Sequence, residues 1–275
     1  MKTLKTLKVI LTVIISGSMI ISLSSCNNKN AQKNNQKISE DKIEKEVEEY
    51  IYPLPSTFEV TDMLNEIEAS YIIDITNNAG NAGNYFTEKS RAINLGIYAA
   101  DLAYVTTYNQ KSEIEDYFKA IEQLVKELDM SSAFSEDLAA KISENMDDKE
   151  MLIEIVSGMF QKAYSFLNQQ GRTEVSYLVL AGTVYEGLYL TTHVSENTFQ
   201  NPKLIEVILF QKTHLSELGK LLEEYKDSEL ISESYNDFSA INAIYALEEG
   251  TTSMTEEQVN KLTETITQIR NKYVD

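Results

Sequence analysis

The sequence predicts an all-α domain, a helical bundle of eight or nine helices in two related lobes. Three observations carry this expectation. Helix-start signals recur along the chain, the apolar residues between them follow a helical period, and no stretch alternates like a strand between hairpin turns. Ser56 with Glu59, Ser112 with Glu115, Asp147 with Glu150 and Thr255 with Gln258 fit a capping box or its aspartate analogue. In that box a side-chain oxygen serves the free amides of the first turn. Asn201-Pro202 places a cap before a proline at the first helical position.

Taken in order, the helices are expected at about 57–76, 86–108, 112–129, 134–146, 148–169, 173–194, 202–226, 229–248 and 256–273. Pro53 and Pro55 precede the first of them, and of the three prolines only Pro202 follows, so no helix is interrupted. Asn77 to Asn84, rich in Asn and Gly, is expected to be a flexible loop. It is no phosphate loop, because it lacks the Gly-Lys-Ser/Thr ending and a preceding strand.

The two lobes are inferred from a faint repeat. Asp101-Leu102-Ala103-Tyr104-Val105-Thr106-Thr107-Tyr108 aligns with Glu186-Gly187-Leu188-Tyr189-Leu190-Thr191-Thr192-His193. Each segment ends a strongly apolar helix between two others, so a three-helix unit is duplicated. The lobes are expected at about 56–146 and 147–275.

The chain has 275 residues, enough to bury a sizeable core. It carries 43 acids against 24 bases, a net charge of −19. A surface that acidic repels nucleic acid and anionic lipid headgroups. Nucleic acid is therefore excluded as a partner.

The first residues carry Lys2, Lys5 and Lys8 and no acid, and Val9 to Leu23 is almost wholly apolar. That run suits a signal-peptide core and falls short of the about 20 residues of a membrane span. Leu23-Ser24-Ser25-Cys26 follows, with the only cysteine of the chain. This pattern resembles the lipobox of bacterial lipoproteins. The resemblance implies a signal peptide over 1–25, cleavage before Cys26 and lipid on that cysteine. Asn27 stands where an aspartate tends to retain lipoproteins in the inner membrane, so the resemblance favours the outer membrane. The span 26–50 is the lipidated cysteine and a tether, and 51–275 the helical domain. As a flexible coil of ~20–25 residues, the tether reaches ~25–30 Å on average. The order of helices as a whole resembles helical lipoproteins of Bacteroidota. That likeness implies fold and location and no activity.

The repeated helices hold the most informative residues. Between Ala92 and Tyr108 the only charge is Asp101, and between Val175 and Val194 it is Glu186. A helix apolar on all sides is buried, and an ionised carboxylate there needs a partner or a raised pKa. Glu186 shares a helix face with Gly182, Tyr189 and His193, and Asp101 with Ile97, Tyr104 and Tyr108. The sharp expectation is a polar pocket between lobes, built from Asp101, Tyr104, Tyr108, Glu186, Tyr189 and His193. The plainer one is a structural network in which Tyr, Thr and His satisfy two acids. We prefer the network, because buried polar networks are common in cores that catalyse nothing. Val175 to Val194 is long enough to span a membrane, but Glu186 and the missing basic flanks favour a core helix.

The two histidines give His193-x-x-Glu196 and His214-x-x-Glu217. Di-iron bundles use the reverse order, Glu-x-x-His. Imelysin-like envelope lipoproteins carry Gly-x-His-x-x-Glu. Lys212-Thr213-His214-Leu215-Ser216-Glu217 resembles that pattern, with lysine in place of the glycine. A four-residue match carries little, so no metal and no other cofactor is expected. No Gly-x-Ser-x-Gly or His-Glu-x-x-His pattern and no free cysteine nucleophile is present. The preferred reading is a non-enzymatic binding or scaffolding lipoprotein of the envelope. Its partners would be the membrane, through lipid, and a protein or small ligand. The alternative is a small-ligand or metal-binding protein, in the limit an imelysin-like hydrolase.

Overall fold

A computed structural model describes residues 57–275 apart from 136, 196–197 and 247–252. The expected signal peptide, Cys26, the tether, the Ser56 cap and Glu196 lie outside the described residues. The described chain forms ten α-helices: α1 (Thr57–Glu66), α2 (Glu88–Thr107), α3 (Lys111–Glu127), α4 (Leu138–Glu144), α5 (Lys149–Gln169), α6 (Thr173–His193), α7 (Pro202–Phe210), α8 (Lys212–Glu223), α9 (Ser232–Ile244) and α10 (Glu256–Val274). Single 3-10 turns lie at Ala79–Asn84, Ser131–Ala133 and Thr198–Gln200. There is no strand among the described residues, so the domain is all-α.

The centre is the pair α2 and α6. Every residue from Ala92 to Thr107 is buried, as are most of those from Val175 to Thr192. The two helices touch backbone to backbone where Gly96 meets Gly182. A Cβ on Gly96 would lie 2.0 Å from Val179 O, and one on Gly182 would lie 2.0 Å from Ile93 O. Only residues without a Cβ permit so close an approach. The outer helices are amphipathic and turn one stripe toward this pair. On α3 the stripe is Ile114, Tyr117, Phe118, Ile121, Leu124 and Val125. On α10 it is Val259, Leu262, Ile266, Ile269 and Tyr273, with Arg270 among them. Among the described residues no helix is long and apolar enough to cross a membrane.

Several helix boundaries differ from the sequence expectation. The helix expected over 57–76 ends at Glu66. Glu68 takes a left-handed φ of 61°, and the Ala69 amide donates back to Leu64 O at 3.0 Å. This left-handed closure stops the helix. The same closure ends α2 at Asn109, α3 at Asp129 and α5 at Gly171. Expected as one helix, 202–226 divides at Gln211, whose buried side chain reaches Thr191 Oγ1 at 3.2 Å and Val207 O at 3.4 Å. That division brings the count to ten rather than eight or nine. The helix expected over 134–146 shrinks to α4, because Phe134 is extended.

Of the expected caps, Thr255–Gln258 forms its box and Asn201 accepts from the Lys203 amide. Ser112 does not cap: α3 starts one residue earlier, after Gln110. Asp148, not Asp147, caps α5, and Asp147 pairs with Lys111 instead. The segment 77–84 is not an open loop. Asn77 is buried, and Asn78 caps a 3-10 turn through the Gly80 amide at 2.8 Å.

Candidate functional site

The chain between α1 and this 3-10 turn, residues 67–78, is an irregular strap laid over α2. Left-handed Asp74 follows Glu68; the amides of residues 67–69 close back onto α1, and beyond them the strap lies outside any helix or strand. Buried backbone polar groups need partners, and here tyrosines supply them. Tyr104 OH accepts from the Ile72 amide at 2.9 Å. Tyr108 OH donates to Ala69 O at 2.7 Å, and Tyr98 OH to Asn78 O at 2.9 Å. From α3, Tyr117 OH contacts Thr76 Oγ1 at 2.6 Å and Asn77 O at 2.8 Å. Tyr71 stacks on Tyr104 at 5.2 Å and donates to Glu113 at 2.6 Å. Burial pushes the Tyr108 phenol up to about 12 and raises Tyr71, Tyr98, Tyr104 and Tyr117 as well.

Asp101 sits one helical turn before Tyr104 and faces α6. It is fully buried, and so is Glu186. The partner of Glu186 is Arg270 on α10, which the sequence reading missed. Arg270 donates from Nε to Glu186 Oε2 at 2.7 Å and from Nη2 to Oε1 at 3.0 Å. Two parallel bonds of this kind are the strongest arrangement open to a guanidinium and a carboxylate. Arg270 Nη2 also reaches Ile75 O in the strap at 3.4 Å. Burial works against the guanidinium charge, yet Glu186 and Asp101 outweigh it and hold the group above its ordinary value. The missed signal was position: Arg270 lies four residues after Ile266, on the apolar stripe of α10.

The rest of the α6 face continues along α10. The Arg270 guanidinium lies 4.0 Å above the Tyr189 ring, a cation–π contact. Tyr189 stacks on His193 at 4.0 Å. His193 Nδ1 lies 2.8 Å from Tyr189 O, and Nε2 lies 3.1 Å from Thr267 Oγ1. With its hydrogen on Nδ1 a neutral ring donates to Tyr189 O and leaves Nε2 to accept from Thr267, whose hydroxyl also lies 2.7 Å from Thr263 O. Burial lowers the His193 pKa, which agrees with a neutral ring.

The six residues expected to share a pocket therefore divide. Asp101, Glu186, Tyr189 and His193 form one line with Arg270 and Thr267. Tyr104 and Tyr108 instead hold the strap. Asn77 joins the two groups. Its backbone amide donates to Asp101 Oδ2 at 3.1 Å, and its side chain to Tyr85 OH at 2.9 Å and Asn94 Oδ1 at 3.2 Å.

His214 does not meet His193. It lies half-buried against Phe210, ring centroids 5.6 Å apart, and burial pushes its pKa down to about 4 while Glu217 opposes the shift. Glu217 pairs with Lys220 at 2.7 Å. Among the described residues no three His, Cys, Asp or Glu side chains gather as a metal ion would require.

A cavity of about 170 Å³ lies apart from this network, between α3, α5 and the chain around Phe134. Phe118, Ile121, Val125, Leu138 and Met159 line it, with Glu122, Ser131 and Ser135 at its polar edge. A smaller apolar space beneath it shares Ile121, Val125, Phe134 and Met159 and reaches Leu95 and Val179. No protein-family model, curated protein or solved structure matches the chain.

Proposed function

We propose that the chain is a lipid-anchored, non-enzymatic binding or scaffolding protein of the bacterial cell envelope. One observation carries the reading: Leu23-Ser24-Ser25-Cys26 closes an apolar run behind a lysine-bearing start, and Cys26 is the only cysteine. Acylation adds about 0.8 kcal/mol per buried methylene, so several chains on one residue anchor firmly. The tether then sets the reach of the helical domain from the membrane. Two features of that domain support a role in binding rather than chemistry. The acids and the histidine most suited to catalysis are engaged with Arg270, Asn77, Tyr189 and Thr267. The cavity beside Phe134 offers space for a small apolar group, comparable to the ~150 Å³ that accepts a benzene ring elsewhere.

The test is fractionation of cells carrying Cys26→Ser. The variant is expected to be exported and to leave the membrane fraction, while the parent stays with it through a salt wash. A variant that remains membrane-bound after the wash would remove lipid as the anchor and this reading with it.

A further inference from the structure

Two fully buried carboxyls and one nearly buried guanidinium gather in the core. Asp101 and Glu186 are fully buried, and both Glu186 oxygens are taken by Arg270. Asp101 Oδ2 accepts the Asn77 amide. Asp101 Oδ1 has no hydrogen-bond donor among the described residues. What lies near it is the Glu186 carboxyl, close enough to raise the Asp101 pKa. Ionised carboxylates only accept, so two of them in contact in a dry interior repel. A hydrogen between them turns the repulsion into a bond.

Neighbouring groups do not supply that hydrogen. Tyr98 spends its hydroxyl on Asn78 O, and Tyr117 on Thr76 and Asn77. Tyr71 donates to Glu113; Tyr104 accepts the Ile72 amide and Tyr85 the Asn77 side chain, and neither hydroxyl is bonded to Asp101 Oδ1. From α6, Tyr189 lies under Arg270, and His193 is turned to Tyr189 O and Thr267. From α10, Arg270 is engaged with Glu186.

We propose that Asp101 and Glu186 form a buried proton-binding site, with one hydrogen on Asp101 Oδ1 donated to Glu186. The interior then holds one neutral acid, one carboxylate and one guanidinium, and its charges balance. Burial, and then Glu186, hold the Asp101 carboxyl well above the ordinary range, against the pull of Arg270 and the Asn77 amide. The proton joins α2, α6, α10 and the strap at one point, through Asp101, Glu186, Arg270 and Asn77.

The sign of the pH dependence follows. In the unfolded chain Asp101 releases its proton near ~3.9. The folded chain keeps it to a higher pH, so between the two values the folded state holds one proton more. The stabilisation is complete below ~3.9 and is lost as pH rises, about tenfold in the folding constant per pH unit, until the folded value is passed. Beyond that, two carboxylates share one guanidinium.

Infrared spectroscopy of the full chain tests the proposal through the carbonyl band of a buried, protonated carboxyl. The band is expected in the parent at neutral pH and not in Asp101→Asn. The carboxamide can donate to Glu186 and still accept from Asn77, so this variant is expected to fold. It is also expected to lose the decline in stability that the parent shows on going alkaline, read from denaturant unfolding at several pH values. A parent without the band at neutral pH overturns the proposal, whether or not the variant folds. A band that persists unchanged in Asp101→Asn overturns it too.

Discussion

Arg270 shows how much one side chain can decide. Among the described residues it is the cation that meets the buried carboxyls, and its Nε and Nη2 are both bonded, to Glu186 and to Ile75 O. Removing one partner of a buried ion pair leaves the other charge stranded, at about 3–5 kcal/mol. Arg270→Met is expected to cost in that range, since it leaves Glu186 without a cation. Glu186→Gln is expected to cost less. Asp101 stands beside the same guanidinium and is able to give up its proton and become the counter-ion. Urea unfolding of the two variants at neutral pH checks the order. Equal losses, or a larger loss for Glu186→Gln, would mean that Asp101 does not take over.

Individual helices were legible where their signals are local. Thr255 and Gln258 cap α10, and Asn201 with Pro202 starts α7, because a cap is made by residues a few positions apart. Helix ends were less legible. Three of the four left-handed closures fall on Glu68, Asn109 and Asp129, where the sequence shows no glycine. The strap was illegible for a different reason. Its backbone partners are tyrosines of α2 and α3 twenty or more positions away, and nothing within 67–78 announces them. Asp101 and Glu186 stood out as lone charges on apolar helices, whereas Arg270 was hidden by a helix rich in other charges.

Glycine at the element scale gives a matched pair of tests. Gly158, inside α5, has open space where a Cβ would go, so Gly158→Ala is expected to stabilise by about 0.5–1 kcal/mol through helix propensity. Gly96→Ala meets the Val179 carbonyl at 2.0 Å, and backbone cannot swing aside as a side chain can. It is expected to cost at least about 1–3 kcal/mol. Opposite signs in thermal melts support the observed crossing. A neutral Gly96→Ala would mean that α2 and α6 do not approach so closely.

Over the whole molecule, stability against pH has two limbs. Burial holds His214 near about 4, below its unfolded value of ~6.5. Between those values the unfolded chain binds a proton that the folded chain refuses, so stability falls as pH drops through the window. Asp101 acts in the opposite sense over the same range, which flattens the acid limb. Above ~6.5 the histidine no longer contributes, and the Asp101 limb descends until the buried tyrosines join it above ~10. His214→Phe is expected to gain stability relative to the parent as pH falls from ~6.5 to ~4, with the two alike above neutrality apart from a constant offset. Parallel curves throughout would remove His214 from the acid limb. Its half-exposed position makes the gain smaller than the full shift implies.

The meeting of Gly96 with Gly182 has a kinetic consequence. Most helical bundles fold fast because each helix finds a neighbour in sequence, and rates fall as contacts become less local. Here a backbone-to-backbone approach in the core joins helices between which α3, α4 and α5 intervene. During synthesis α2 emerges with both sides apolar and has to wait for α6 before its Gly96 face is covered. Until then that face is exposed to whatever else is near. The half-made chain is therefore the form most open to aggregation, and the finished one is protected only once α6 has arrived.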